Sequence, residues 1–326
     1  MVEPPVRANA SIRPDRAKPS GVARVAAVVM TGAIAAGLLS CRSTPPHRTF
    51  PSPEQAVQAL TAAVKAGNLD EVTAIFGSEG KELVDSSDRA EARRKQEVFT
   101  AAVAERWRLE DASATTKVLI IGNEEWPFPV PLTRDGDRWR YDTAAGREEV
   151  VARRIGRNEL SAIAACHAYV VAQELYARRP HDGKPAGRYA ARFRSEPGKQ
   201  NGLYWPLTRG QRRSPLGAVL AESADLKASP DSGAQTPSPF HGYYFRILSG
   251  QGEAAGGGPK SYVVDGEMSA GHALVAWPAR YDATGVMTFL VSRDGVVREK
   301  DLGGGTDGMV KAMSTYNPDP SWATVR

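Results

Sequence analysis

The chain has 326 residues, 41% of them hydrophobic and 24% charged, with 31 Gly and 23 Pro. That balance supplies a sizeable core and excludes a disordered or collagen-like chain. Two cysteines exclude a disulfide scaffold and a multi-cysteine zinc site, and a net charge of +5 is small for this length.

The N-terminus carries the strongest signal. Arg7, Arg13, Arg16, Lys18 and Arg24 precede an uncharged run from Val25 to Ser40. The run is shorter than the roughly 20 apolar residues that span a bilayer. A basic start, a short apolar middle and a small residue at the end describe an export signal over residues 1–40. The sequence Leu38-Leu39-Ser40-Cys41 resembles the bacterial lipobox, which implies that Cys41 is acylated and becomes the first mature residue. Several acyl chains hold a protein firmly on a membrane where one does so only marginally. Arg42 after the cysteine implies, by the same resemblance, sorting to the outer membrane. The leader's five basic residues against Glu3 and Asp15 hold three of the five net charges, leaving about two for the mature chain. Nothing in that charge argues for nucleic acid. The expected partners are the membrane, through lipid on Cys41, and an envelope protein or glycan.

Residues 41–51 are polar and Pro-rich, a lipidated tether. Ser52-Pro53-Glu54-Gln55 has a capping residue, a first-turn proline and a capping-box glutamine, so a helix begins there. Val57, Leu60 and Val64 recur at helical spacing until Gly67-Asn68. Leu69, Val72, Ile75 and Phe76 mark a second helix. A third is predicted from about Asp88 to Leu109, with Val98, Phe99, Ala102, Val103 and Trp107 inward. Strands follow at Val118–Ile121, Phe128–Thr133 and Arg138–Asp142, the last two joined by the turn Asp135-Gly136-Asp137. Residues 52–145 thus read as an N-terminal α+β domain.

A second domain is predicted over 146–326. A long helix runs from about Gly146 to Tyr176, with a kink or boundary at Gly156 and an apolar face of Leu160, Ile163, His167, Val170, Val171 and Leu175. Residues 180–239, Pro- and Gly-rich in two stretches, read as a surface-loop insertion. Strands are expected at Tyr243–Leu248, Tyr262–Val264, Ala273–Trp277, Val286–Val291 and Val296–Lys300, with a turn at Arg293-Asp294-Gly295. The overall fold class is α+β: helices and a small antiparallel sheet, then a long helix packed on an antiparallel β-meander.

Two resemblances follow from these residues. Asn158-Glu159-Leu160-Ser161-Ala162-Ile163, Gly242-Tyr243-Tyr244-Phe245, Gly285-Val286-Met287-Thr288-Phe289 and Asp294-Gly295-Val296 make the second half look like the globular part of type IV pilins and pseudopilins. Pilins start on a long apolar helix, and here a whole other domain stands in that place. The mature chain as a whole is similar to the bacterial exported family called domain of unknown function 2950. Phe50-Pro51-Ser52-Pro53-Glu54, Trp126-Pro127-Phe128-Pro129, Gly156-Arg157-Asn158-Glu159-Leu160, Gly202-Leu203-Tyr204-Trp205-Pro206, His241-Gly242-Tyr243-Tyr244-Phe245-Arg246 and Leu274-Val275-Ala276-Trp277-Pro278 carry that likeness. The family implies no activity.

Residues able to do chemistry are few. His167, with Glu174 seven residues on along the same helix, could serve as a base, although a core histidine is the plainer reading. Cys166 points about 100° away round the helix and reads as a small buried residue. His241 and His272 each start a predicted strand, and with Asp265 or Glu267 they could converge at one sheet end, but their spacing matches no zinc pattern. Arg179-Pro180-His181-Asp182-Gly183-Lys184 offers one carboxylate, too few for calcium. Trp126 with Phe128, and Tyr204 with Trp205, set aromatics beside prolines and could line a groove for glycan or extended peptide, or equally plug the cores. Gly256-Gly257-Gly258 and Gly303-Gly304-Gly305 lack the Lys-Ser/Thr of a phosphate loop. No cofactor and no metal are expected. The leading expectation is a non-enzymatic binding or assembly module. The alternative is a periplasmic hydrolase or ligand-modifying enzyme with a histidine base in a cleft between the two units.

Overall fold

The computed structural model describes residues 47–80, 89–207, 212–216 and 239–325. The expected signal segment, Cys41 and most of the tether lie outside the described residues, as does the Pro/Ser-rich stretch at 229–233. Helix α1 (Pro53–Lys65) begins where its capping residues predict, the Ser52 hydroxyl accepting from the Gln55 N–H at 3.2 Å. Helix α2 (Leu69–Phe76) is capped in the same way by Asn68, whose Oδ1 accepts from the Glu71 N–H at 3.1 Å.

Helix α3 (Arg89–Glu105) stops before the predicted Leu109. Its continuation is strand β1 (Trp107–Ser113), which pairs with β2 (Thr116–Ile121) from Trp107 opposite Ile121 to Ser113 opposite Thr116. Trp107 continues the helical spacing of Val103, but the hairpin supplies its backbone partners, and its side chain is exposed rather than inward. Strand β3 (Trp126–Pro127) also pairs with β2. The hairpin of β4 (Leu132–Asp135) and β5 (Arg138–Tyr141) closes around Gly136, whose φ of +62° suits the glycine in that turn. Helices and sheet together bury Leu60, Ile75, Phe76, Leu119, Ile121, Leu132 and Tyr141 as a first core.

Helix α4 (Thr143–Ala177) is 35 residues long and continues through Gly156, so of the kink or boundary that the sequence predicts there the boundary is absent. Its first turn belongs to the first core. The Thr143 hydroxyl donates to the Phe76 carbonyl at 2.6 Å, and Gly146 lies so close to Val130 that an added Cβ would stand 2.7 Å from a methyl. The remainder packs on the second sheet.

That sheet follows in sequence. Strand β6 (Tyr243–Leu248) comes first, then two short pairs, β7 (Gly250–Gln251) with β8 (Lys260–Ser261) and β9 (Val263–Val264) with β10 (Glu267–Met268). Next are β11 (Ala273–Pro278), β12 (Met287–Ser292) and β13 (Arg298–Asp301), helix α5 (Thr306–Ala312) and β14 (Ala323–Thr324). The strands order themselves β14-β13-β12-β11-β6, antiparallel throughout. The fold is therefore α+β, with a long helix against a meander-like sheet.

The face that α4 turns to this sheet differs from the expected one. Leu160, Val171 and Leu175 are exposed, while Ala162, Ala165, Cys166, Tyr169, Ala172 and Tyr176 are buried. Small residues let the helix axis approach the sheet, and the two tyrosines fill the space at its far end. Ile163 and Val170 pack at the margin.

Three of the sequence motifs meet in one fastening. Asn158 Nδ2 donates to the Thr284 carbonyl at 2.8 Å, and Glu159 Oε1 accepts from the Val286 and Met287 N–H groups at 2.9 and 3.0 Å. The Tyr243 hydroxyl donates to the Met287 carbonyl at 2.9 Å, over Gly285, where an added Cβ would sit 2.1 Å from that hydroxyl. These residues tie the helix to the β11–β12 loop, and the described residues form one compact unit.

Candidate functional site

The stretch after α4, predicted as surface loop, contributes Tyr189, Ala190, Leu203, Trp205 and Leu216 to the cores. Gln173, fully buried on α4, holds it by accepting from the Ala190 N–H at 2.9 Å and donating to the Ala190 carbonyl at 2.8 Å. The Gly187 N–H donates to the Ala177 carbonyl at 2.7 Å, and the Tyr189 N–H donates to the Met268 carbonyl at 2.7 Å. The Lys184 ammonium reaches Glu267 at 2.6 Å. Helix end, loop and β9–β10 hairpin are thereby laced together around a cleft of about 170 Å³.

Tyr176, His181, Asp182, Lys184, Arg188 and Tyr189 line one part of that cleft, and Arg192, Asn201, Glu267 and Met268 another. Asp182 and Gly183 form a two-residue turn with φ of +48° and +78°, closed by reciprocal His181–Lys184 backbone bonds of 3.1 and 2.9 Å. An Asp-Gly pair supplies the left-handed conformations this turn requires. His181 stacks on Tyr176 with ring centroids 4.0 Å apart and donates through Nε2 to the Tyr176 carbonyl at 3.0 Å. Its Nδ1 is buried without a partner. Burial, followed by the nearby carboxylates Asp182 and Glu267, pushes the Tyr176 phenol up to about 12.

Behind Tyr189 lies His272, enclosed completely, with ring centroids 4.7 Å from Tyr189 and 5.3 Å from Tyr169. Neither ring nitrogen has a hydrogen-bond partner. Glu174 Oε1 stands 3.7 Å from Nε2, too far for a hydrogen bond, and accepts instead from Arg293 Nε at 3.1 Å. Burial pushes the imidazole down to about 4, against the pull of Glu174, so the ring is neutral.

The other sequence candidates fall elsewhere. His167 is exposed rather than on a buried face, because the helix turns its small-residue side to the sheet. Glu174 serves Arg293. His241 is exposed at a φ of +44° before β6, whereas His272 precedes β11. Strands β6 and β11 run antiparallel, Tyr243 facing Pro278 and Leu248 facing Ala273, so the two histidines lie at opposite sheet ends. Glu267 is taken by Lys184, and Asp265 sits at φ +53° in the β9–β10 turn.

Among the aromatics, Trp205 is buried, its indole N–H donating to the Arg212 carbonyl at 3.0 Å, and Tyr204 packs beside it under Arg194. Phe128 meets Phe76, Phe99, Trp126 and Tyr141, and Trp126 lies half-covered beneath Arg153. The two pairs serve different cores and do not share a groove. Among the described residues no three of His, Cys, Asp or Glu gather into a metal-sized group, and no helix is long and apolar enough to cross a membrane.

Sequence reasoning weighed the His181–Lys184 stretch only as a metal loop and passed over Arg188, Tyr189, Arg192 and Gln173. The signal that could have found them is the Asp-Gly turn directly after the long helix, followed by spaced arginines.

Over residues 47–325 the chain matches the family described as a protein of unknown function (DUF2950). No curated protein and no solved structure matches it, so the likeness to pilins gains no support from a known fold.

Proposed function

We propose that this member of the DUF2950 family, a family that brings no activity with it, is a lipoprotein on the periplasmic face of a bacterial membrane. It is anchored through Cys41, sorted to the outer membrane, and acts as a non-enzymatic binding module. The observation that carries the binding half is the division of labour among polar side chains. Accessible charged groups from the loop after α4 and from β10 line one cleft, while Cys166 and His272, the thiol and one of the imidazoles of the fold, are sealed away from solvent. Cys166 is fully buried with its thiol pushed up to about 12 by burial, so it carries no thiolate near neutral pH. His272 is neutral but walled in by tyrosines.

The anchor is tested by expressing the full chain and its Cys41→Ala variant in a diderm bacterium fed labelled palmitate. The expected result is label and outer-membrane fractionation for the parent chain, with both lost in the variant. Membrane retention and label in Cys41→Ala would remove the anchored reading. The binding module is tested against a hydrolase through His167→Ala, His241→Ala and His272→Phe. All three are expected to bind as the parent does.

A further inference from the structure

The charges in the cleft do not cancel one another. Lys184 is paired with Glu267, and Arg192 with Glu196 at 2.6 Å. Setting these aside, Arg188 and Asp182 remain. Among the described residues Arg188 makes no hydrogen bond or ion pair, although its side chain is half-buried. Asp182 accepts one backbone N–H, that of Gln200 at 2.8 Å, and meets no cation. Both line the same cleft without pairing with each other. Arg188 and Asp182 thus offer the cleft one cation and one anion that the described residues leave open to a ligand's counter-charges.

The geometry points to a small zwitterion as the ligand, with its carboxylate on Arg188 and its ammonium on Asp182. This rests on the cleft being the ligand site. Size agrees with that class. A cavity of about 150 Å³ holds one benzene ring, so the 170 Å³ here takes roughly six to eight heavy atoms, the size of a small amino acid. An oligosaccharide or a partner helix does not fit within it. Asn201 adds a side-chain amide, its Oδ1 already accepting from the Glu196 N–H, and Tyr176, Tyr189, Pro185 and Met268 provide apolar wall.

Met268 gives a direct readout, because it lines the cleft while Met309 and Met313 line a different surface depression. The full-length chain, labelled at methionine methyls with carbon-13, is titrated with L-alanine, D-alanine, β-alanine and γ-aminobutyrate, which vary the charge spacing. N-acetylalanine and alaninamide each carry one charge and serve as comparisons. At least one zwitterion is expected to shift the Met268 methyl about tenfold more tightly than either single-charge compound. Arg188→Gln and Asp182→Asn are each expected to weaken that binding by about tenfold, with the other methyl signals unmoved. Asparagine tolerates the positive φ at position 182 and keeps an acceptor for Gln200, so the turn survives the change. If N-acetylalanine or alaninamide shifts Met268 as tightly as the zwitterions do, the cleft binds ligands but the two-charge assignment is overturned. If no compound moves Met268, both the assignment and the cleft as a ligand site fall.

Discussion

His272 must shed its proton to occupy its site between Tyr169 and Tyr189, and that requirement sets a pH dependence for the whole fold. The charged groups facing it are Glu174 from α4 and Arg293 from the β12–β13 turn, and they oppose each other. The ordinary imidazole value of 6.5 applies to the unfolded chain, and burial brings the folded value down to about 4. Between those limits the unfolded state binds the extra proton, so stability rises with pH there. The contribution is fully present above about pH 6.5 and is lost as pH falls through about 4, amounting to on the order of 3 kcal/mol. Urea unfolding of the parent chain and of His272→Phe across that range checks this. The variant is expected to lose most of the acid slope, whatever its stability at pH 8, and an unchanged slope would assign the effect to other groups.

At the scale of elements, α4 shows what a single sequence does and does not disclose. Its existence and length were legible from periodicity, and α1 from Ser52, Pro53 and Gln55, because those signals are local. The hairpins at Gly136 and Gly295 were legible for the same reason, since a turn requires particular residues at particular positions. The inward face of α4 was not. Hydrophobicity ranks Leu160, Val171 and Leu175 above Ala162, Ala165 and Ala172, whereas close approach to a sheet selects the small side chains. Strand β1 was hidden because Trp107 keeps step with Val103, and only its distant partner Ile121 decides the matter. The cleft was hidden too, since contacts such as Tyr189 to Met268 join residues far apart in sequence. The uninterrupted course through Gly156 gives a direct prediction. An added Cβ there meets nothing within 4 Å, and the backbone is helical. Gly156→Ala is expected to stabilise the chain by about 0.5–1 kcal/mol, read as a raised urea midpoint with unchanged slope.

On the scale of the molecule, one helix serves two cores, entering the first through Thr143 and Gly146 and the second through Ala162 to Tyr176. Loss of either core withdraws support from the helix that the other needs. The parent chain is therefore expected to unfold in one step, amides of Leu119 and Val275 losing exchange protection at the same urea concentration. Gly156→Pro, which removes a backbone bond and costs roughly 3 kcal/mol or more, is expected to separate the two. Two steps in the parent chain would show the cores to be independent.

The same helix fixes a length. Thr49 and Phe50, where the described chain enters the fold, bind Arg138 and Trp139 just ahead of Thr143, and the cleft opens at Tyr176. At 1.5 Å per residue, these two points are about 50 Å apart along the axis. The helix is thus a strut: for a chain tethered ahead of His47, reach toward a ligand is set by its number of turns. Deleting two turns ahead of Asn158 would shorten that reach by about 11 Å without altering a single residue of the cleft.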